Sequence, residues 1–287
     1  MKFKCASSYI GEPFILSLSI KQSRGKFFNP VETMNTQEIV GMKNSLKNVN
    51  LTKKILKNIP LSDSCVSIIL GSILGDGSLK IHKKYKNARF KFRHSITQKD
   101  YFEWKVSMLK QISSENSVII QKPDGFSTNQ KLLYQSRALE SLTTIYSRTY
   151  SHNTIEIKRS WLNHLTPLSL AIWWLDDGSL ISNKRKGVLC TDGFSKDFVE
   201  ILSKYLFVVW GITARVASVS GKNRKLSKQT EYYRLWFSTT ELKKFLRIIL
   251  PYIPTQSCLS KVMITYKDLE LQQRWISEVK TALPLFF

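Results

Sequence analysis

The feature that most constrains this chain is a junction written twice: an apolar helix that runs into acid and stops. Residues 165–180 read LTPLSLAIWWLDDGSL and residues 62–79 read SDSCVSIILGSILGDGSL. In the later copy Thr166 is a ready N-cap and Pro167 fits the first helical position. Residues 168–175 form an apolar body that ends at Asp176, Asp177 and Gly178, with Gly178 able to stop the helix in a left-handed turn. The earlier copy starts at Ser62 or Asp63 and ends at Asp76 and Gly77. A carboxylate at a helix C-terminus faces the negative end of the macrodipole, so stability alone does not select it. The two DGSL tetrapeptides begin at Asp76 and Asp177, 101 residues apart, a period that suits one small domain written twice.

A lone Asp-Gly after a helix is most often a turn. Here each copy also carries small residues: Gly71, Ser72 and Gly75 in one, Ser169 and Ala171 in the other. Small residues let two helix backbones approach closely, which brings Asp76 and Asp177 together. Adjacent carboxylates repel unless a cation sits between them, and oxygen donors suit a hard one such as magnesium.

The rest of the sequence agrees with a two-part basic protein. At 287 residues there is room for two domains, each with its own core. The formal net charge of +23 calls for a polyanionic partner, more often nucleic acid than a membrane surface. No apolar run reaches the roughly 18 residues of a membrane span. Glu12 and Pro13 interrupt the apolar start, which argues against a cleaved targeting peptide. Cys5, Cys65, Cys190 and Cys258 are scattered, against a zinc site or a disulfide framework and for a reducing compartment. Lys outnumbers Arg 32 to 12, a hint of an AT-rich organellar genome, so a mitochondrion or chloroplast is the expected location.

Residues 1–60 lack clean periodicity and read as a basic N-terminal extension, with a short lysine-rich helix over 51–59. Residues 79–96 then read as a hairpin. In its return strand Arg89, Lys91 and Arg93 point one way and Phe90 and Phe92 the other. With Lys80, His82 and Lys84 nearby, the basic face is expected to meet DNA. A helix over 100–112, a hairpin over 118–135 and a helix over 137–150 complete a first half. The second half repeats the order: strands within 180–191 across a basic turn carrying Lys184, Arg185 and Lys186, a helix over 196–209, and a long hairpin over 213–238. That hairpin carries Arg215, the loop cations Lys222, Arg224, Lys225 and Lys228, and a return strand in which Tyr232, Arg234 and Trp236 oppose Tyr233, Leu235 and Phe237. A helix over 241–250, ended by Pro251 and Pro254, closes it. The expected fold is α+β: two pseudo-symmetric αββαββα halves, 61–164 and 165–287, whose antiparallel sheets form a saddle able to read a major groove, with the signature helices packed at the centre. Trp173 and Trp174 read as core, His82 and His94 as strand residues near DNA, and His152 and His164 as structural.

ILGSILGDG at 69–77 and LAIWWLDDG at 170–178 resemble the two signature helices of a single-chain LAGLIDADG homing endonuclease. SITQKDYFEW after the first and VLCTDGFS after the second resemble the family's next strand ends and helices, so the likeness spans roughly residues 60–265. The resemblance implies an intron-encoded, sequence-specific DNA endonuclease making a staggered double-strand cut at a long asymmetric site, with two or three magnesium ions held by Asp76 and Asp177, one from each half. Gly75 and Asp176, which precede them, are carried along as positions at the metals. It further implies that Lys261 is the second-half active-site lysine and Lys158 its first-half counterpart. Gln98 matches a family glutamine near the metals. Asp192 stands in its second-half place, as an extra ligand or a mark of asymmetry. The implied partner is double-stranded DNA, met by a monomer with no membrane involved. Two other functions compete: an RNA maturase bound to its host intron, and a non-catalytic DNA-binding module, for which paired acids are unfavourable.

Overall fold

The computed structural model describes residues 60–123, 129–220 and 231–287. The expected extension and the helix over 51–59 lie outside these residues.

Helix α1 (Asp63–Leu74) begins where the Ser62 side chain accepts from the backbone N–H of Cys65. From Ile68 to Leu74 every residue of α1 is buried, so the helix is enclosed rather than laid on a surface. Out of it run β1 (Gly77–Lys80) and β2 (Arg89–Ser95), then α2 (Lys99–Met108), β3 (Val118–Gln121), β4 (Lys131–Gln135) and α3 (Glu140–Thr149). The four strands form an antiparallel sheet in the order β1-β2-β4-β3. A two-residue hairpin, β5 (Tyr150–Ser151) and β6 (Thr154–Ile155), and the short helix α4 (Arg159–Leu162) lead to the second half.

That half starts with α5 (Pro167–Asp177), where Thr166 and Ser169 cap each other reciprocally. It continues with β7 (Gly178–Ile181), β8 (Lys186–Leu189), α6 (Lys196–Trp210), β9 (Arg215–Ser220), β10 (Glu231–Phe237) and α7 (Thr239–Ile249). The second sheet has the order β7-β8-β10-β9, the same path as the first. The expected αββαββα order therefore appears twice. A further helix, α8 (Leu269–Ala282), packs its Trp275 and Val279 into the second-half core.

The halves meet along α1 and α5. A Cβ added at Gly71 would lie 2.3 Å from the Ser169 carbonyl oxygen, and one at Gly75 would lie 2.6 Å from the Asp176 Cβ. The contact is so close that only glycine fits at either place. At the other end of the pair Thr166 Oγ1 donates to Ser67 Oγ at 2.9 Å. Trp173 and Trp174 are fully buried, as core side chains should be.

Gly178 differs from its expected left-handed turn. Its φ of −78° and ψ of 146° are extended, and β7 starts there without a break. Glycine is required for another reason: a Cβ would come within 2.3 Å of the Trp174 ring. Left-handed residues occur instead in the β7–β8 turn, at Ser182, Asn183 and Lys184, in the β5–β6 turn, at His152 and Asn153, and at Gly211 after α6.

Candidate active site

Because β1 and β7 leave directly from the ends of α1 and α5, the residues at those two junctions share one place. Three side chains converge there. Asp76, His94 and Asp176 each offer a ligand atom, all within 4.8 Å of one another. Asp177 follows Asp176 in the chain, and the charges of Asp76 and Asp176 both act on it.

Burial and like charge push these acids upward. The Asp76 carboxyl rises to about 6, through desolvation and then the Asp176 charge. That of Asp177 rises to about 7, through desolvation and then the charges of Asp76 and Asp176. The Asp76 side chain is 41 % exposed, so one side of it opens to solvent. Two oxygen donors held in mutual repulsion at an open site fit a hard divalent cation.

Asp176 is engaged differently. Its side chain is fully buried and accepts from Tyr101 Oη at 2.8 Å and from Lys105 Nζ at 3.0 and 2.9 Å. Its Oδ2 also accepts from the backbone N–H of Asp76 at 3.4 Å. A cation placed on this carboxylate would have to displace the Lys105 ammonium.

His94 belongs to the interior, not to the DNA side where the sequence put it. The imidazole is fully buried, with Nδ1 3.5 Å from Asp76 Oδ2 and Nε2 3.9 Å from Asp176 Oδ1. Desolvation and the Lys105 charge push its pKa down to about 4, so it is neutral at ordinary pH, and neither nitrogen has a hydrogen-bond partner. The strand's alternation already held this placement, because period two puts His94 on the face of Phe90 and Phe92.

Lys261 reaches the end of α5. Its Nζ donates to the carbonyl oxygens of Leu175 and Asp176, at the end of α5. Burial holds its pKa below the usual lysine value, against the pull of Asp176, Asp76 and Asp177. A cation bonded to terminal carbonyls offsets the negative end of the helix, which helps explain how α5 can end in two acids. Lys158 sits elsewhere: it precedes α4 and pairs with Glu156 at 2.8 Å. The first-half lysine whose charge reaches Asp76 is Lys105, which the sequence reading did not single out. Gln98 stands at the start of α2, partly exposed. Asp192 binds Arg234 through both carboxylate oxygens, each at 2.6 Å, and the Asp177 charge reaches this guanidinium.

Register decides which cations share a face. Ser78 pairs with Lys91 and Lys80 with Arg89 across β1 and β2, while Lys91, Arg93 and Ser95 face Gln135, Leu133 and Lys131 on β4. Lys80, Arg89, Lys91, Arg93 and Lys131 therefore stand on the outer side of the first sheet, opposite the buried Phe90, Phe92 and His94. On the second sheet Trp236 pairs with Arg215 and Arg234 with Ala217, away from the buried Leu235 and Phe237. Lys186 ends the same face, next to exposed Lys184 and half-buried Arg185 in the turn. His82 and Lys84 are exposed in the β1–β2 connection. Lys222, Arg224, Lys225 and Lys228 lie outside the described residues.

Two basic antiparallel sheets joined through a helix pair that ends in acid define the LAGLIDADG class of fold. A solved homing endonuclease bound to its DNA recognition sequence, I-WcaI, has this fold: the likeness covers 77% of this chain and 95% of that one, with a TM-score of 0.63 at 23% identity. The LAGLIDADG DNA endonuclease family matches residues 66–245, and the chain belongs to it. Among curated proteins, the RecA protein of Mycobacterium gastri is 28% identical over 226 residues, 72% of this chain and 49% of that protein. The cytochrome b mRNA maturase bI2 of Saccharomyces cerevisiae is 29% identical over 219 residues, 72% of this chain and 50% of the maturase. The chain thus spans about half the length of these relatives.

Proposed function

We propose that this protein is a sequence-specific, divalent-metal-dependent DNA endonuclease that makes a staggered double-strand cut at a long asymmetric site. The observation that carries the reading is the pair of acids where the two signature helices end: burial raises both pKa values, the Asp176 charge adds to the rise of Asp76, and the charges of Asp76 and Asp176 add to that of Asp177. Acids that stay uneasy in the protein alone become favourable once a cation lies between them.

Asp76 and Asp177 would hold magnesium, one from each half, with the Asp76 side open to substrate. Bound divalent ions in such a site activate water and stabilise the charge that develops on phosphorus and the leaving oxygen. The chain's own cations then bind and orient the duplex. Arg93 acts on Asp76 and projects from the outer face of β2. Arg234, held in a fixed plane by Asp192, does the same near Asp177, so Asp192 serves as an orienting group there. Lys261, whose Nζ donates to the carbonyls at the end of α5, acts on both acids, and Gln98, at the start of α2, is given the role of orienting water. Lys158, paired with Glu156, has no role at the acids in this reading.

A single test separates the acids from the binding surface. Asp76→Asn and Asp177→Asn should each abolish cutting of the intronless allele of the host gene while duplex binding persists; normal cutting by both variants ends the mechanism. Omission of magnesium should stop the wild-type reaction.

The maturase relative favours a second reading, in which the same scaffold binds its host intron RNA and assists splicing. It also favours an intron-encoded origin, and with the lysine-rich composition an organellar one. Selective binding of folded intron RNA with no DNA cut would decide for it.

A further inference from the structure

Two observations about Asp176 are left over once Asp76 and Asp177 are given the cations. Its carboxylate sits at a position where the first copy has Gly75, so it has no symmetric mate. Yet it is among the most heavily bonded side chains at the site: it accepts from Tyr101, twice from Lys105 and once from the backbone of Asp76. Tyr101 and Lys105 both belong to α2 of the first half, while Asp176 belongs to α5 of the second. Lys105 is as buried as its partner and lies 4.6 Å from the centre of the Phe92 ring. A buried charge pair with its hydrogen bonds satisfied has one geometry available to it.

We propose that Asp176 is a positioning residue: a carboxylate fixed by Lys105 and Tyr101 that holds the Asp76 backbone N–H and so sets the first-half acid from the second half. Gly75 makes room for it, since any Cβ there would meet the Asp176 Cβ at 2.6 Å. The reverse clamp, from the first half onto Asp177, is missing because Gly75 has no side chain to make it. The two strand cuts therefore depend unequally on this one ion pair. The inference rests on the reading of Asp76 as a cutting residue.

The main probe is Asp176→Leu with Lys105→Met, which removes both charges together and leaves neither unpaired. Tyr101→Phe removes one bond and keeps the pair. Asp176→Asn with Lys105→Met restores an acceptor for the Asp76 N–H. The readouts are the amide hydrogen exchange of Asp76 in the free protein and the nicking rate of each strand of an end-labelled target duplex. In the Leu/Met variant the Asp76 amide should exchange at least tenfold faster and the two strand rates should diverge by at least tenfold. Tyr101→Phe should show smaller changes of the same sign, also if the Leu/Met variant fails to fold. The Asn/Met variant should recover part of both. Unchanged exchange at Asp76, or equal slowing of both strands, overturns the proposal. If the wild type cuts no DNA, the endonuclease reading fails instead, and the exchange measurement still decides the clamp.

Discussion

At the scale of single residues, the acids give the protein a pH signature opposite to the usual one. An ordinary paired carboxylate has a lowered pKa and stabilises the fold as pH rises. Asp76 and Asp177 are raised, from 3.8 to about 6 and about 7. Between those limits the folded chain holds protons that the unfolded chain has released, so their contribution to stability is lost as pH climbs through the window. Without divalent metal, Asp177→Asn should therefore gain on the wild type between pH 4.5 and pH 7.5, by about 1–2 kcal/mol once solvent screening is allowed for. Denaturant unfolding at the two pH values checks this, and a difference that does not change with pH would count against the coupled acids. His94 poses the complementary question. A buried imidazole with no partner on either nitrogen costs stability, typically about 1–3 kcal/mol per unsatisfied group. Among Phe92, Tyr101 and Phe102, His94→Phe should raise the unfolding midpoint while slowing DNA cutting, because the wall beside Asp76 loses its polar lining. If both stability and cutting rise, His94 is a packing residue only. Lys105 could not have been found by spacing: its partner is 71 residues away, and a lysine in an amphipathic helix ordinarily faces water. The available signal was its place four residues after Tyr101 and three after Phe102, on the helix face that points inward.

At the scale of elements, the helix pair is the part that the sequence made most legible, because glycine and serine leave a trace where backbones must approach. Gly71 and Gly75 carry that trace, and the structure shows what each one is small for. Gly71→Ala should cost about 1–3 kcal/mol, the usual penalty of overpacking, since the Ser169 carbonyl oxygen it would strike is backbone and cannot swing away. Gly193→Ala, where nothing lies within 4 Å of the new methyl, is the control and should be nearly silent. Thermal unfolding of the two variants gives the comparison; equal midpoints would mean that the helices have room to part. The strands were legible through period two, with β10 holding Leu235 and Phe237 inward against Arg234 and Trp236. What escaped was short or outside the repeated scheme. The two-residue strands β5 and β6 have no periodicity to read, and α8 has no counterpart in the first half to announce it. Gly178 misled for a physical reason: glycine at a helix end usually marks a left-handed turn, but here it clears the face of Trp174.

At the scale of the molecule, the spacing of 101 residues made the two-fold plan readable, and the matching strand orders bear it out. The departures from symmetry were not readable, because they live in contacts between residues far apart in sequence: Asp176 with Lys105 across the halves, and Arg234 with Asp192 within the second. The same plan determines where the +23 charge can act. In the proposed function, cations on the outer faces of two sheets would neutralise phosphates, and each neutralised phosphate releases counterions, so affinity would fall with salt at a slope close to the number of contacts. Arg89, Lys91 and Arg93 share the outer face of β2, with Phe90 and Phe92 on its other face in the core, so changing them leaves those core aromatics in place. Replacing all three by Gln should reduce the slope of log affinity against log salt by about 2–3 for a cognate duplex. Asp177→Asn should leave that slope unchanged and bind at least as tightly as the wild type in the absence of metal, since it removes a negative charge from the path of the backbone. Fluorescence anisotropy across a salt series measures both variants on one target. An unchanged slope for the triple variant would move the DNA off the first sheet, and weaker metal-free binding by Asp177→Asn would mean that this acid contributes to holding DNA.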